Sequence, residues 1–260
     1  MGQPYGRVWS SKLGSTVLIR RRQLDVSRTE DGWELAREWV QEKIQNQVDF
    51  LQELGRRRNE KKEEMIIEQV SRMAEIQKQI DSLIGSPDEL RGTVMGFEGS
   101  AGRIYFQTLG QLLPERYEFG GRSRNPAADR FNAFLNYGYG VMYSKVEAAC
   151  VIAGLDPYIG FIHADNYNKV SLVFDLIEMF RIFVEEPVFY LFSKRRVSSE
   201  HVDEVKGGVR LNETGRALLI ETFNNHMEES QRYLGRNIQR KNIIQFRCHR
   251  IANSLIEEEG

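Results

Sequence analysis

The feature that most limits the possible fold is a helical spacing of apolar residues that begins near residue 31. Between residues 31 and 54 they recur every three or four positions, and the same period returns between residues 65 and 83. This spacing places apolar side chains on one face of a helix. We therefore expect two long amphipathic helices, antiparallel to each other, on either side of the interruption at residues 55–59.

Further helices are indicated by capping residues. Ser86-Pro87-Asp88-Glu89 combines a capping side chain, a proline at the first helical position and acidic residues at the positive end of the helix dipole. Asn125-Pro126 is expected to open a central, mostly buried helix that Gly154 ends. The remaining helices are expected from Val170 to about Glu185, from Pro187 to about Arg196, from Asn212 onward, and from about Asn237 to Glu258.

The first 25 residues follow a different pattern. Tyr5 to Trp9 and Thr16 to Ile19 are short β-prone runs, and the residues between them are rich in turn formers. They predict one β-hairpin. Because a lone hairpin is marginal in water, it is expected to belong to a larger sheet. The predicted fold is mainly α, with a multi-helix domain preceded by this short hairpin.

Composition excludes several classes of protein. With 260 residues, 41% of them hydrophobic and 28% charged, the chain is expected to fold and to bury a core. Its net charge of -1 argues against a protein held on nucleic acid by overall charge alone. Two cysteines are too few for a disulfide framework. No apolar run approaches the ~20 residues of a membrane span, so we expect a soluble, cytoplasmic protein without a membrane partner.

Three places in the chain carry residues suited to chemistry: Glu98 in a helix interrupted by glycines, His163 after an apolar connector, and the pair Asp175 and Glu178. The pair is spaced i and i+3 within an apolar helix, where ionised groups are costly without a partner. A histidine nitrogen with carboxylate oxygens suits Mg²⁺ or Mn²⁺. The other interpretation is that the carboxylates form salt bridges with Arg181 or lysines, and spacing alone favours it.

Glycines recur in the helix that carries Glu98, at positions 92, 96, 99 and 102. A glycine in a helix interior costs ~1 kcal/mol relative to alanine. We therefore expect something to come close to this backbone.

Basic residues form local clusters in spite of the balanced total charge. Between Gln231 and Arg250 there are basic residues and no acidic one, and a second cluster surrounds residues 116–130. A charge run is more often a solvated face, but such clusters are also typical of salt-sensitive DNA binding. The residues predicted to contact DNA are Arg122, Arg124, Arg236, Arg240, Lys241 and Arg247.

Four segments stand in a characteristic order: residues 96–100 (GFEGS), 122–139 (from Arg-Ser-Arg-Asn-Pro to Asn-Tyr-Gly-Tyr), 154–163 (GLDPYIGFIH) and 171–178 (SLVFDLIE). Together they resemble the CRISPR-associated adaptation integrases, a family of metal-dependent endonucleases that insert spacers. The resemblance covers roughly residues 1 to 250.

The resemblance implies a set of functional residues. It assigns Glu98, His163 and Glu178 as metal ligands and catalytic residues, with Mg²⁺ or Mn²⁺ as the cofactor. Asp175, one turn earlier, is expected beside the site as an outer acceptor. The implied reaction is a transesterification that joins the 3′-hydroxyl ends of spacer DNA to the CRISPR array. With water as the nucleophile, the same site would cut DNA.

The resemblance also implies partners and a domain organisation. The expected partners are double-stranded and branched DNA, a second copy of the chain, and a small ferredoxin-like adaptation subunit, in a prokaryotic cytoplasm. Residues 1–25 would be the remnant of an N-terminal β domain, and residues 26–260 the helical catalytic domain. The alternative is a catalytically inactive DNA-binding or assembly module left by N-terminal truncation, in which the acids only form ion pairs.

Overall fold

The computed structural model describes residues 16–163 and 169–256. Within these ranges the chain is mainly helical, with two short hairpins, which confirms the predicted fold class. The helices are α1 (Thr16–Val26), α2 (Glu30–Gly55), α3 (Glu60–Asp81), α4 (Pro87–Leu112), α5 (Arg130–Ala153), α6 (Ser171–Phe180), α7 (Ile182–Ser193), α8 (Glu213–Glu228) and α9 (Arg240–Ser254). Among the described residues, none of these helices has the length and apolar character that crossing a membrane requires.

The helices α2 and α3 form the predicted antiparallel pair. The indole Nε1 of Trp33, near the start of α2, donates to the carbonyl of Leu83 beyond the end of α3 at 3.2 Å. At the other end, Gly55 lies against the side chain of Ile66. The Thr29 hydroxyl caps α2 by accepting the amide of Gly32. The spacing of apolar residues therefore predicted both helices and their direction.

Capping chemistry sets the ends of α4 and α5. The Glu89 carboxylate accepts the backbone amide of Ser86 at 2.8 Å, so α4 starts where the sequence indicates. The predicted start of α5 at Asn125-Pro126 is wrong, because Asp129 accepts the amide of Asn132 and caps the helix just before Arg130. Its predicted end is confirmed by Gly154, which has a left-handed φ of 86°.

Helix α5 is central and largely buried, as expected, and it packs against α6, α7 and α9. Phe131 and Phe134 both contact Phe192 of α7 edge to face, with ring centroids 5.1 and 5.4 Å apart. On the other side of the core, α2 packs against both α4 and α6. This arrangement brings the middles of α2 and α4 close to the C-terminal part of α6.

The predicted hairpin at the start of the chain is corrected in part. Thr16 to Ile19 belong to helix α1 and not to a strand, whereas Tyr5 to Trp9 lie outside the described residues. Gln23 of α1 is fully buried, and its amide group bonds the carbonyls of Asp156 and Ile159 at 2.9 and 2.8 Å. This tertiary contact outweighs the local β propensity. The proposed domain boundary at residues 25 and 26 is crossed by α1.

The apolar stretch after residue 170 divides at a different place from the one predicted. Helix α6 ends at Phe180 and α7 begins at Ile182, so the division lies at Arg181 and Pro187 falls inside α7. A proline within a helix removes one backbone hydrogen bond. Burial of the apolar side chains around Pro187 compensates for that loss, and tertiary packing overrides the local signal.

Two hairpins lie in segments for which the sequence predicted no strands, and the second hairpin includes the predicted helix start at Asn237. Strands β1 (Val202–Val205) and β2 (Gly208–Leu211) pair antiparallel, as do β3 (Ser230–Tyr233) and β4 (Arg236–Gln239). Gly207 has a positive φ of 87° in the first turn, and in the second turn both Leu234 and Gly235 have positive φ, 47° and 78°. The second hairpin moves the start of α9 from the predicted Asn237 to Arg240.

Candidate active site

A buried lysine lies at the centre of the predicted acidic residues. The Lys43 ammonium of α2 contacts the Glu98 carboxylate of α4 and the Glu178 carboxylate of α6. Glu178 also accepts from Arg181 Nη2 at 2.6 Å. Only 6% of the Lys43 side chain is exposed. Both carboxylates therefore have a cationic partner, as the ion-pair interpretation of the sequence expected.

Asp175 organises the backbone that carries His163. Its carboxylate accepts three consecutive amides, those of Phe161 at 2.6 Å, Ile162 at 3.2 Å and His163 at 2.9 Å. The same carboxylate lies 2.7 Å from Nδ1 of the His163 ring. This contact favours the tautomer in which Nδ1–H donates to Asp175, which leaves Nε2 as the nitrogen available to a ligand.

The connector before His163 is held from several sides. Gly160 has no room for a side chain, because a Cβ there would lie 2.6 Å from the His163 carbonyl oxygen and 2.6 Å from Cβ of Ser171. Phe161 packs edge to face on Trp39 of α2, with ring centroids 5.1 Å apart. Together with Gln23 from α1, these contacts fix the position of the histidine.

The charges of the cluster stabilise one another. Burial lowers the pKa of Lys43, but Glu178 and Glu98 raise it more, so that this pKa lies above its ordinary value. Burial raises the pKa of Glu178, but Arg181 and Lys43 lower it by more than burial raises it. The pKa therefore lies below its ordinary value, and the carboxyl stays ionised. Burial lowers the pKa of His163. The carboxylate of Asp175 and, with smaller effects, those of Glu178 and Glu98 raise this pKa, so that it lies above its ordinary value.

The four predicted site residues line one small cavity, which we call the site cavity: Glu98, His163, Asp175 and Glu178, with Trp39, Val40, Val94, Met95 and Ile162. In the described part of the chain, no three acidic, histidine or cysteine side chains are arranged as a metal site. Nevertheless, Glu98 and Glu178 converge on a cation, the Lys43 ammonium. Two carboxylates and an imidazole suit Mg²⁺ or Mn²⁺. These residues therefore fit such an ion if the Lys43 ammonium moves out from between the two carboxylates.

The sequence analysis named Arg181 as a partner of the carboxylates, and Arg181 pairs with Glu178, but it did not single out Lys43. Lys43 lies within the apolar stripe of α2, between Val40 and Ile44. A lysine in such a stripe is almost never buried without a charged partner. That mismatch is the signal that could have identified it.

Most of the residues predicted to contact DNA have partners within the protein. Arg122 bonds Asn132 and Asn136 and lies over the rings of Phe106 and Tyr139. The C-terminal cations are paired with carboxylates: Arg240 with Glu229 at 2.6 Å, Lys241 with Glu228 at 2.6 Å, and Arg247 with Glu42 at 2.9 Å.

Arg124 and Arg236 are exposed and form no ion pair among the described residues. Arg122 and Arg124 line a second, larger cavity that also contains Glu98. The structure therefore brings these two arginines to the acidic cluster, and it leaves the C-terminal cations largely neutralised by their own neighbours.

The chain matches the family model described as CRISPR associated protein Cas1 over residues 1–225. It is 32% identical over 254 residues to CRISPR-associated endonuclease Cas1 1 of Archaeoglobus fulgidus, covering 94% of this chain and 73% of the relative. It is 31% identical over 251 residues to CRISPR-associated endonuclease Cas1 1 of Thermodesulfovibrio yellowstonii, covering 92% of this chain and 77% of the relative.

Solved structures show the same fold. A casposase bound to integration product superimposes with a TM-score of 0.81 at 22% identity, over 94% of this chain and 70% of that one. A Cas1 protein from Thermotoga maritima gives a TM-score of 0.80 at 23% identity, over 98% of this chain and 75% of that protein. A chain of a Cas6-RT-Cas1–Cas2 complex gives a TM-score of 0.79 at 22% identity, over 95% of this chain and 26% of that one. On the extent of the family match and the identity to these relatives, the chain belongs to the Cas1 family of CRISPR-associated proteins.

Proposed function

We propose that this Cas1 chain is a divalent-metal-dependent DNA endonuclease and integrase of CRISPR adaptation. The observation that carries the proposal is the convergence of Glu98, His163 and Glu178 on one cavity, from α4, a connector and α6. The names of the relatives support nuclease activity, since they are called CRISPR-associated endonucleases. Integration is supported by the fold shared with a casposase that was solved with its integration product.

The side chains have distinct roles in this proposal. Oxygens of Glu98 and Glu178 and Nε2 of His163 would hold Mg²⁺ or Mn²⁺. When bound, such an ion polarises the scissile phosphate and stabilises the charge of the leaving oxygen. Asp175 is a positioning residue, because its bond to Nδ1 turns Nε2 of His163 outward. The Lys43 ammonium has to leave the space between the carboxylates.

The proposed reaction is attack of a DNA 3′-hydroxyl on a phosphodiester, which joins spacer DNA to the CRISPR array. Water as the attacking group gives cleavage instead. The proposed nucleic-acid partners are double-stranded and branched DNA. A second copy of the chain and a small ferredoxin-like Cas2 subunit are proposed as protein partners, in line with the shared fold of a chain from a Cas6-RT-Cas1–Cas2 complex.

A second candidate is a catalytically inactive DNA-binding or assembly module. The observation that favours it is the pairing of both Glu98 and Glu178 with Lys43, which gives the carboxylates a structural purpose without metal. The two candidates differ in one measurable property, which is whether the protein cuts or joins DNA when a divalent ion is present.

We expect the change His163→Ala to abolish Mn²⁺-dependent joining and cleavage of branched DNA. The His163 side chain is 36% exposed, so its removal leaves the core intact and the melting temperature near that of the wild type. A matched control is His249→Ala, at an exposed position of α9. The measurement is gel analysis of labelled branched DNA with Mn²⁺ and with EDTA.

Full activity in the His163→Ala protein would contradict the assignment of this residue. A wild-type protein that binds Mn²⁺ and DNA but leaves the DNA unchanged would support the inactive module. Equal loss of activity in the His249→Ala control would show that the effect is not specific to His163.

A further inference from the structure

A fully buried carboxylate, that of Glu185 in α7, has no part in the chemistry proposed above. Its Oε1 accepts the hydroxyl of Tyr139 in α5 at 2.7 Å, and its Oε2 accepts from Nε2 of Gln47 in α2 at 3.5 Å. A buried carboxylate is costly unless its oxygens are bonded. These bonds hold Glu185 in place, and through its hydroxyl they hold Tyr139 as well.

Tyr139 and Glu185 meet where α5 and α7 cross. The residues just before them, Gly138 and Val184, approach so closely that a Cβ at Gly138 would lie 2.4 Å from Cγ1 of Val184. The Tyr139 side chain is buried at this crossing, and its hydroxyl is bonded. Its ring therefore presents a fixed face to the side chains packed against it.

The Arg181 guanidinium lies over this ring. Its Cζ is 4.8 Å from the ring centroid, within the range of a cation–π contact. Its Nη2 donates to Oε1 of Glu178 at 2.6 Å, whereas its Nε is buried and has no hydrogen-bond acceptor among the described residues. Arg122 also lies over the ring, at 5.3 Å, but its hydrogen bonds to two asparagines hold it independently.

The two oxygens of Glu178 have separate partners. Oε1 accepts from Arg181, and Oε2 contacts the Lys43 ammonium, which occupies the position proposed for the ion. The bond from Arg181 thus determines which oxygen faces that position. Loss of a group that orients a metal ligand typically weakens metal binding roughly 10- to 100-fold.

We propose that Tyr139 is a positioning residue for the metal ligand Glu178. Its ring, anchored by Glu185, holds Arg181 on Oε1 of Glu178, so that Oε2 faces the ion. This inference rests on the proposed function and assigns a role to side chains that lie outside the site cavity.

The test compares Tyr139→Met with Tyr139→Phe. Methionine removes the ring and fills much of its space, so the Kd for Mn²⁺ should rise about tenfold. Phenylalanine keeps the ring and removes only its anchor, so the Kd should stay within about threefold of the wild type. Both changes take a donor from Glu185, so both should lower the melting temperature. A merely structural tyrosine would lose stability without this difference in Mn²⁺ binding.

The matched control is Tyr117→Met. Tyr117 is also buried, its hydroxyl donates to the carbonyl of Val197 at 2.7 Å, and Cζ of Arg116 lies 4.7 Å from its ring centroid. Arg116 donates to backbone carbonyls and not to Glu178. This control should therefore melt at a lower temperature and keep the wild-type Kd for Mn²⁺, measured from the paramagnetic resonance signal of the free ion.

A second measurement needs no metal. The NMR order parameter of the Arg181 Nε–H bond in EDTA reports how firmly the guanidinium is held. It should fall in Tyr139→Met and stay unchanged in Tyr117→Met. Arg181→Gln identifies the signal by its absence and should itself raise the Kd for Mn²⁺ about tenfold. Adding Tyr139→Met to Arg181→Gln should raise the Kd no further, because the ring acts through Arg181.

An unchanged Kd for Mn²⁺ in Tyr139→Met or in Arg181→Gln would overturn the proposal, and so would an equal rise in Tyr139→Met and Tyr117→Met. If His163→Ala still weakened Mn²⁺ binding in that case, the proposed function would stand without this positioning role. If the wild-type protein bound no Mn²⁺, the proposed function would fail, and this inference would fail with it.

Discussion

Lys43 offsets two carboxylates that would otherwise repel each other inside the protein. It lies between Glu98 and Glu178 and is almost fully buried. Removal of one partner from a buried ion pair leaves uncompensated charge and costs ~3–5 kcal/mol. We therefore expect Lys43→Met to lower the melting temperature in EDTA by several degrees. Mn²⁺ should raise the melting temperature of this variant more than that of the wild type, because no ammonium group competes with the ion for the two carboxylates.

Thermal unfolding in EDTA and in Mn²⁺ measures both effects. A suitable control is Lys78→Met, since 76% of that lysine side chain is exposed and its ion pair lies on the surface. If Lys43→Met melted in EDTA at the wild-type temperature, the ammonium would not be the counter-ion of the cluster.

Glu186 and His226 form a second titratable pair, with Oε2 and Nε2 3.4 Å apart. Burial raises the pKa of Glu186 from 4.5 to about 7; Arg240 opposes this shift, and Glu53 and Glu185 add to it. Burial, with Arg240, lowers the pKa of His226 from 6.5 to about 4. Near neutral pH the pair therefore contains a carboxyl that gains a proton easily and an imidazole without charge.

These shifts give a pH dependence of stability. A carboxyl with a raised pKa binds more protons in the folded state, so stability is lost as the pH rises from about 4.5 to about 7. Glu186→Gln removes this loss. Relative to the wild type, the variant should gain roughly 2 kcal/mol in unfolding free energy between pH 5 and pH 8.

Urea unfolding at a series of pH values measures the difference between wild type and variant. A control is Glu221→Gln, an exposed carboxylate of α8. A difference between Glu186→Gln and wild type that stayed constant across the series would mean that Glu186 titrates at its ordinary pKa.

At the scale of elements, the crossing of α5 and α7 depends on a glycine. A Cβ at Gly138 would lie 2.4 Å from Cγ1 of Val184, which is closer than two carbon atoms can approach. We expect Gly138→Ala to destabilise the protein by ~1–3 kcal/mol through overpacking. The additional change Val184→Ala should recover part of that loss.

Gly140→Ala is the matched control, two residues along the same helix. Its Cβ would meet nothing within 4 Å in the described chain, so this change should stabilise α5 by up to ~1 kcal/mol. Denaturant unfolding of the variants provides the comparison. A destabilised Gly140→Ala, or a neutral Gly138→Ala, would contradict this account of the crossing.

The elements also show what local sequence can and cannot predict. The apolar period and the caps at Ser86 and Gly154 located most helices, because capping and amphipathicity are properties of neighbouring residues. Helix α1 was missed because its conformation depends on Gln23 bonding a connector more than 130 positions away. The two hairpins were missed because their four-residue strands are too short and polar to show an alternating pattern.

At the scale of the whole molecule, the candidate site joins residues that are far apart in sequence. The family motifs identified Glu98, His163, Asp175 and Glu178, and the fold places them around one cavity. Motifs do not contain Lys43, which reaches Glu98 from 55 positions away through the packing of α2 on α4. The sequence therefore predicted the acids and the histidine, and only the fold shows which cation offsets them.

The balanced net charge also acquires a structural meaning. Three of the C-terminal cations predicted to bind DNA, Arg240, Lys241 and Arg247, are paired with Glu229, Glu228 and Glu42. The positive charge near the candidate site comes instead from α4 and the loop at residues 120–124. A net charge of -1 is thus compatible with a local surface for DNA.

The central claim is that Glu98, His163 and Glu178 bind one divalent ion, and Mn²⁺ binding tests it most directly. Electron paramagnetic resonance of free Mn²⁺ during a titration gives the stoichiometry and the Kd. We predict one Mn²⁺ site in the wild-type protein. In both His163→Ala and Glu178→Gln the Kd for Mn²⁺ should be at least about tenfold higher. Mn²⁺ binding with wild-type affinity in both variants would contradict the claim.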